Sequence, residues 1–125
     1  MIMSFLQVAL GGAIGAALRY GAGLALVRHV QSGFPVAILS VNVLGSFLMG
    51  LFVVWSVLRG VAHWNLFVMT GILGGFTTFS AFSLEAVMLL ERGHWGSALL
   101  YIGLSVILSI AALAAGAALA RGVWA

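Results

Sequence analysis

The sequence predicts an all-α membrane protein of four transmembrane helices. The third is expected to break near the bilayer midplane. Three observations carry this prediction. First, only 6% of the 125 residues are charged, five Arg and two Glu, against about 25% in soluble domains. Hydrophobic residues make up 64%, more than a soluble fold of this size can hide, because small domains leave a large share of their surface exposed. Second, the apolar runs far exceed strand length and the chain holds a single Pro, which points to helices crossing lipid. Third, glycines and threonines crowd the middle of the third run.

Polar residues divide the chain into four segments within a single domain, residues 1–125. The first runs over about 2–27 and ends at Arg28-His29. It lacks a basic leader and a small-x-small cleavage site, so it is expected to be retained. The second runs over about 34–58, with Pro35 suited to a first helical turn, where its missing N–H costs nothing. The third spans about 66–90 and ends at Glu91-Arg92; the fourth spans about 95–120 and closes at Arg121. Each has roughly 25 residues, against the ~20 needed to cross a 30 Å core. Trp64, Trp95 and Trp124 fall at span ends, as interfacial anchors do. Short connections predict antiparallel neighbours.

The arginines do not set a direction. Arg59 and Arg121 share one side of the membrane, and Arg28 and Arg92 share the other. The positive-inside rule therefore casts no vote. Either the N-terminal methionine or a partner decides the orientation, or the chain inserts both ways. In the second case two opposite copies pair about an axis in the membrane plane, the symmetry that other transporters reach with fused inverted repeats.

Within the spans, charges and polar groups are few. A charge at membrane depth is expensive. Arg19 either is a functional or paired charge, or has a structural role, snorkelling to the far interface or capping neighbouring carbonyls. Glu85 lies near the end of segment three, too far from mid-membrane for a proton carrier, and has two other readings: a buried partner for Arg19, or a group reaching interfacial water. Gly11, Gly12, Gly15 and Ala16 in segment one, and Gly45, Ser46 and Gly50 in segment two, form small-residue faces that let backbones approach.

Segment three is the most informative stretch. It reads Gly71-Ile72-Leu73-Gly74-Gly75-Phe76-Thr77-Thr78-Phe79-Ser80-Ala81-Phe82-Ser83. Three Gly in five residues followed by two Thr make a poor continuous helix. A break here lies near the bilayer centre, where backbone polar groups survive only if protein or a cavity satisfies them. Freed carbonyls at such breaks suit cations. Beyond it, Phe79 and Phe82 share one face and Ser80 and Ser83 the adjoining one. Aromatic edges are positive, so a small dehydrated anion can lie against them, with hydroxyl donors beside it. Asn42 and Ser46 add polar groups in segment two. In segment four, Ser97, Tyr101, Ser105 and Ser109 recur at i+4 and drift about 40° per step, staying on one slanting face. Either this stripe serves interhelical bonding or back-bonding to i−4 carbonyls, or it is a polar track. Such a track offers donors without fixed charge, which suits a permeating anion.

Over essentially its whole length the chain resembles the CrcB/Fluc family of fluoride channels. Three motifs carry the resemblance: Gly11-Gly12-Ala13-Ile14-Gly15-Ala16-Ala17-Leu18-Arg19-Tyr20, Asn42-Val43-Leu44-Gly45-Ser46-Phe47-Leu48-Met49-Gly50, and Gly71 through Glu85, the last being the most specific. The resemblance implies a passive, fluoride-selective exporter in a bacterial inner membrane, built as an antiparallel dual-topology homodimer with two pores. It implies that Phe79 and Phe82 line the pore with their ring edges, that Asn42 donates to fluoride, and that Ser105 and the rest of the hydroxyl track lie nearby. It further implies a structural Na⁺ on the two-fold axis, held by the Gly74 and Thr77 carbonyls of both copies. Arg19 would be structural and Glu85 near a pore mouth. Ala81 stands where many members carry Thr, which removes one hydroxyl beside the two Phe. Fluoride itself comes from the resemblance, not from the residues.

Other classes fit less well. A proton-coupled multidrug exporter needs a mid-membrane carboxylate in the first helix, and segment one has none. A purely structural subunit would leave Asn42 and the hydroxyl row unexplained. The five Arg are spread singly, so nucleic acid is not an expected partner. His29, His63 and His94 fall in loops or at span ends and form no catalytic set, so no enzyme is expected.

Overall fold

A computed structural model describes residues 1–29 and 33–125. Among these the secondary structure is entirely helical. α1 spans Ile2–His29 and α2 Val36–Leu58. A 3₁₀ turn, Ala62–Trp64, leads into a π-helical stretch, Leu66–Leu73. There follow a short helix α3, Gly74–Phe76, then α4, Phe79–Glu91, and α5, Trp95–Trp124. Four stretches are long and apolar enough to cross a membrane: Ile2–Val27, Val36–Leu58, Ala62–Glu91 and Trp95–Trp124. These are the four segments expected, with shifted ends. The fourth runs on through Arg121 and Gly122 to Trp124. Pro35 precedes the second helix rather than entering it: its ψ of 68° is not helical. The side chains of Arg28 and His29 and residues 30–32 lie outside the described residues.

Two of the turns close by the same device. After α2, Gly60 takes φ 66°, Val61 N–H donates to the Ser56 carbonyl at 2.9 Å, and Gly60 N–H donates to Val57 at 3.3 Å. After α4, Gly93 takes φ 80°, His94 N–H donates to Leu89 at 2.9 Å, and Gly93 N–H donates to Leu90 at 3.1 Å. Both are Schellman motifs, which satisfy the terminal carbonyls and need a residue free to adopt left-handed backbone.

The helices pack backbone to backbone. α2 lies chiefly against α5, and α1 against the π-helical stretch and α3. At the first contact, a Cβ on Gly50 would strike the Leu113 carbonyl, and one on Gly116 the Phe47 carbonyl. At the second, a Cβ on Gly15 would strike the Ile72 carbonyl, and one on Gly75 would lie 2.6 Å from the Gly12 carbonyl. Close approach of this kind replaces hydrophobic driving force where lipid is the solvent. One small cluster of buried side chains, Ala86, Leu89, Ala98 and Tyr101, has Phe34, Phe82 and Ile102 against it; Val41, Leu73, Phe76, Ala117 and Ala120 are buried outside it. Most apolar side chains face outward: only 11–28% of the most apolar part of each span is buried. That surface suits lipid or a second membrane chain.

Candidate functional site

α3 ends at Phe76 and α4 begins at Phe79. Between them Thr77 and Thr78 are extended, at φ/ψ −89°/155° and −152°/122°. Their hydrogen bonds explain how such backbone is tolerated in an apolar span. The Asn42 side chain from α2 reads the Thr78 peptide at both ends: Nδ2 donates to the Thr78 carbonyl at 3.0 Å, and Oδ1 accepts from the Thr78 N–H at 2.8 Å. Thr78 in turn caps α4, its Oγ1 accepting from the Ala81 N–H at 3.1 Å. On the other side, Arg19 Nε donates to the Gly75 carbonyl at 3.1 Å, and the Thr77 hydroxyl donates to Leu73 at 2.9 Å. Polar side chains thus replace the helical ladder, as apolar surroundings require.

Directly beside these residues lies a cavity of about 330 Å³, lined by Asn42, Ser46, Thr77, Thr78, Phe79, Phe82, Ser105, Val106, Ser109 and Ile110. It joins α2, the extended residues, α4 and α5. Ser105 is buried, 6% exposed, and its hydroxyl has no protein partner. Asn42 uses one of its two amide hydrogens on Thr78, leaving the second. Phe79 and Phe82 lie with ring centroids 5.4 Å apart at 56°. Phe79 is 78% exposed, projecting from the chain, whereas Phe82 is half-buried and packs on Tyr101 at 5.3 Å. The wall therefore combines an amide, hydroxyls and aromatic rings with no formal charge.

The model of the family described as CrcB-like protein, Camphor Resistance (CrcB), matches residues 6–117. The chain belongs to the CrcB family. A CrcB relative from Ruegeria sp. (strain TM1040), named fluoride-specific ion channel FluC, is 62% identical over 124 residues, 98% of either chain. A protein of the same name from Roseobacter denitrificans is 59% identical over 123 residues, covering 97% of this chain and 98% of its own. Another, from Cereibacter sphaeroides, is 57% identical over 122 residues, covering 98% of both.

In this CrcB chain the cavity gathers Asn42, Phe79, Phe82, Ser105 and Ser109 from among the expected pore residues, with Ser46. It does not gather all of them. The Ser83 hydroxyl donates to the Phe79 carbonyl at 3.0 Å, and Ser80 shares a 3.2 Å hydrogen bond with Thr78 Oγ1. Both thus turn to α4's own first turn, as Ser does near helix starts. Tyr101 is fully buried behind Phe82, edge-on to Phe34 at 5.7 Å, and its hydroxyl has no protein partner. Arg19 meets a carbonyl rather than Glu85. Glu85 lies instead in a separate pocket with Val27, Phe34 and Pro35. Thr78 as a cap was not among the expected site residues. Its sequence signal is a Thr directly before an apolar helical run, the ordinary N-cap preference.

Proposed function

We propose that the protein is a passive, fluoride-selective channel, acting as an antiparallel dual-topology homodimer with two pores and a structural sodium ion. It would export cytoplasmic fluoride across a bacterial inner membrane. The observation that carries this reading is the cavity itself: Asn42, the unpartnered Ser105 hydroxyl and the two Phe rings line one uncharged space at the interruption of the third span. The relatives named fluoride-specific ion channels supply the identity of the anion.

The chemistry follows from the lining. Fluoride holds its water strongly, so a narrow passage must offer several donors at once. Ser105, Ser109 and the free Asn42 N–H are such donors, and the Phe edges add weaker positive surface. None carries charge, so the ion is not trapped. Larger chloride is excluded by width. The exposure of Phe79 supports the dimer, because a second copy would cover it and complete the wall. The two-against-two arginine distribution supports opposite insertion. Extended backbone between α3 and α4 supports reading the third span as a helix broken near the midplane.

The sodium expectation fits the residues present. In a continuous helix the Gly74 carbonyl would accept from the Thr78 N–H, and the Thr77 carbonyl from the Ala81 N–H. Here those hydrogens go to Asn42 Oδ1 and Thr78 Oγ1. Both carbonyls are left with lone pairs for a hard cation. They would hold it, and its positive charge would offset repulsion between anions in the two pores.

Fluoride release from liposomes tests the reading, with a fluoride electrode, valinomycin present and chloride as control. Fast fluoride release without chloride release is expected for the wild type. Phe79→Ile and Asn42→Ala should both slow it by about tenfold or more. Properly folded protein that passes no fluoride would refute the channel reading.

A further inference from the structure

We propose that Asn42 and Thr78 are the residues that create the cation site: by capturing the Thr78 and Ala81 amide hydrogens, they strip Gly74 and Thr77 of their helical donors. The inference rests on the reading that those two carbonyls hold sodium.

The geometry contains two linked diversions. Asn42 reaches from α2 and takes the Thr78 N–H at 2.8 Å, the hydrogen that would otherwise close the Gly74 carbonyl. Thr78 then folds its own hydroxyl onto the Ala81 N–H at 3.1 Å, the hydrogen that would otherwise close Thr77. The intervening Gly75 carbonyl is treated differently, since Arg19 Nε donates to it at 3.1 Å. Side chains thus decide which carbonyls remain available: one is occupied, and those of Gly74 and Thr77 are deprived. A carbonyl whose lone pairs are unclaimed is the better ligand for a hard cation. Asn42 and Thr78 both line the anion cavity as well. Thr77, whose carbonyl would be a ligand, lines it too. Pore and cation site therefore share these three residues, and a change at Asn42 or Thr78 reaches both. In this scheme Asn42 and Thr78 are positioning residues for the cation, acting through carbonyls they do not own.

The test reads sodium binding without flux. Protein purified in N-methyl-D-glucamine buffer is titrated with Na⁺, and thermal unfolding is followed by fluorescence of its four Trp. Wild type should be stabilised along a saturable sodium curve, because a ligand that binds only the folded state raises its stability. Thr78→Val keeps the β-branched shape and the extended backbone but loses the acceptor. Its sodium midpoint should rise by about tenfold or more. Thr78→Ser keeps the acceptor and should restore the wild-type midpoint. If Thr78→Val binds sodium as the wild type does, the inference is overturned while the sodium reading stands. A wild type that melts identically with and without sodium overturns the sodium reading, and the inference with it. Should Thr78→Val fail to fold, Asn42 decides the matter. Asn42→Asp retains an acceptor for the Thr78 N–H and should not weaken the sodium response, whereas Asn42→Leu should. Equal sodium midpoints in these two variants would again overturn the inference.

Discussion

Ser105 is 6% exposed and its hydroxyl meets no protein partner. Leaving such a group unsatisfied costs about 1–3 kcal/mol. Ser105→Ala should therefore leave the unfolding temperature unchanged or raised, while fluoride flux falls by about tenfold. Thermal melts and electrode traces on one preparation check both halves. A loss of stability would mean that the hydroxyl has a structural partner instead. Tyr101 gives a second case. Its ring is held between Phe34 and Phe82, but its hydroxyl is unpartnered. Tyr101→Phe should melt as the wild type does, whereas Tyr101→Ala should lose about 3–5 kcal/mol, as for other large core aromatics. At this scale the sequence was partly legible. Asn42, Ser105 and Ser109 stand out because they are polar within apolar spans, and i+4 spacing puts the two serines on one face. The clamp of Asn42 on Thr78 was not legible. It joins residues 36 positions apart, and no local pattern encodes which side chain an extended peptide will meet.

At the scale of the element, the small-residue faces divide into contacts and open positions. A Cβ on Gly50 would strike the Leu113 carbonyl, whereas one on Gly96 would meet nothing within 4 Å. Gly50→Ala should thus cost about 1–3 kcal/mol by forcing α2 from α5. Gly96→Ala should be neutral or stabilise by up to about 1 kcal/mol, because Ala is the better helix former. Denaturation of both variants side by side separates a packing glycine from a tolerated one. The spans themselves were legible from hydropathy and from the charges that bound them. The π-helical stretch Leu66–Leu73 was not. A π-turn differs from an α-turn by one residue per ring, and apolar periodicity over eight residues does not resolve that difference. The Schellman turns at Gly60 and Gly93 had only an ambiguous signal, an Arg-Gly pair, because the same pair at Arg121-Gly122 lies inside α5.

At the scale of the whole molecule, an uncharged cavity opens beside an exposed Phe79, and most of the apolar surface has no cover within one chain. If the chain inserts both ways, one added Arg beside Arg59 or one beside Arg92 should fix its orientation, in opposite senses, since a balance of two against two has no reserve. Each biased variant alone should lose flux, and co-expression of opposite pairs should restore it. The chain has no Cys, so single introduced cysteines can report the side by labelling. Four membrane helices were legible here because composition alone excludes the alternatives. The anion was not: hydroxyls, an amide and aromatic rings name no ion, and fluoride enters only through the names of the relatives. The most direct measurement is therefore the reversal potential of single channels in planar bilayers, with fluoride on one side and chloride on the other. The account predicts a value following the fluoride gradient and unmoved by chloride. A reversal potential that follows chloride, or none at all from folded protein, would contradict it.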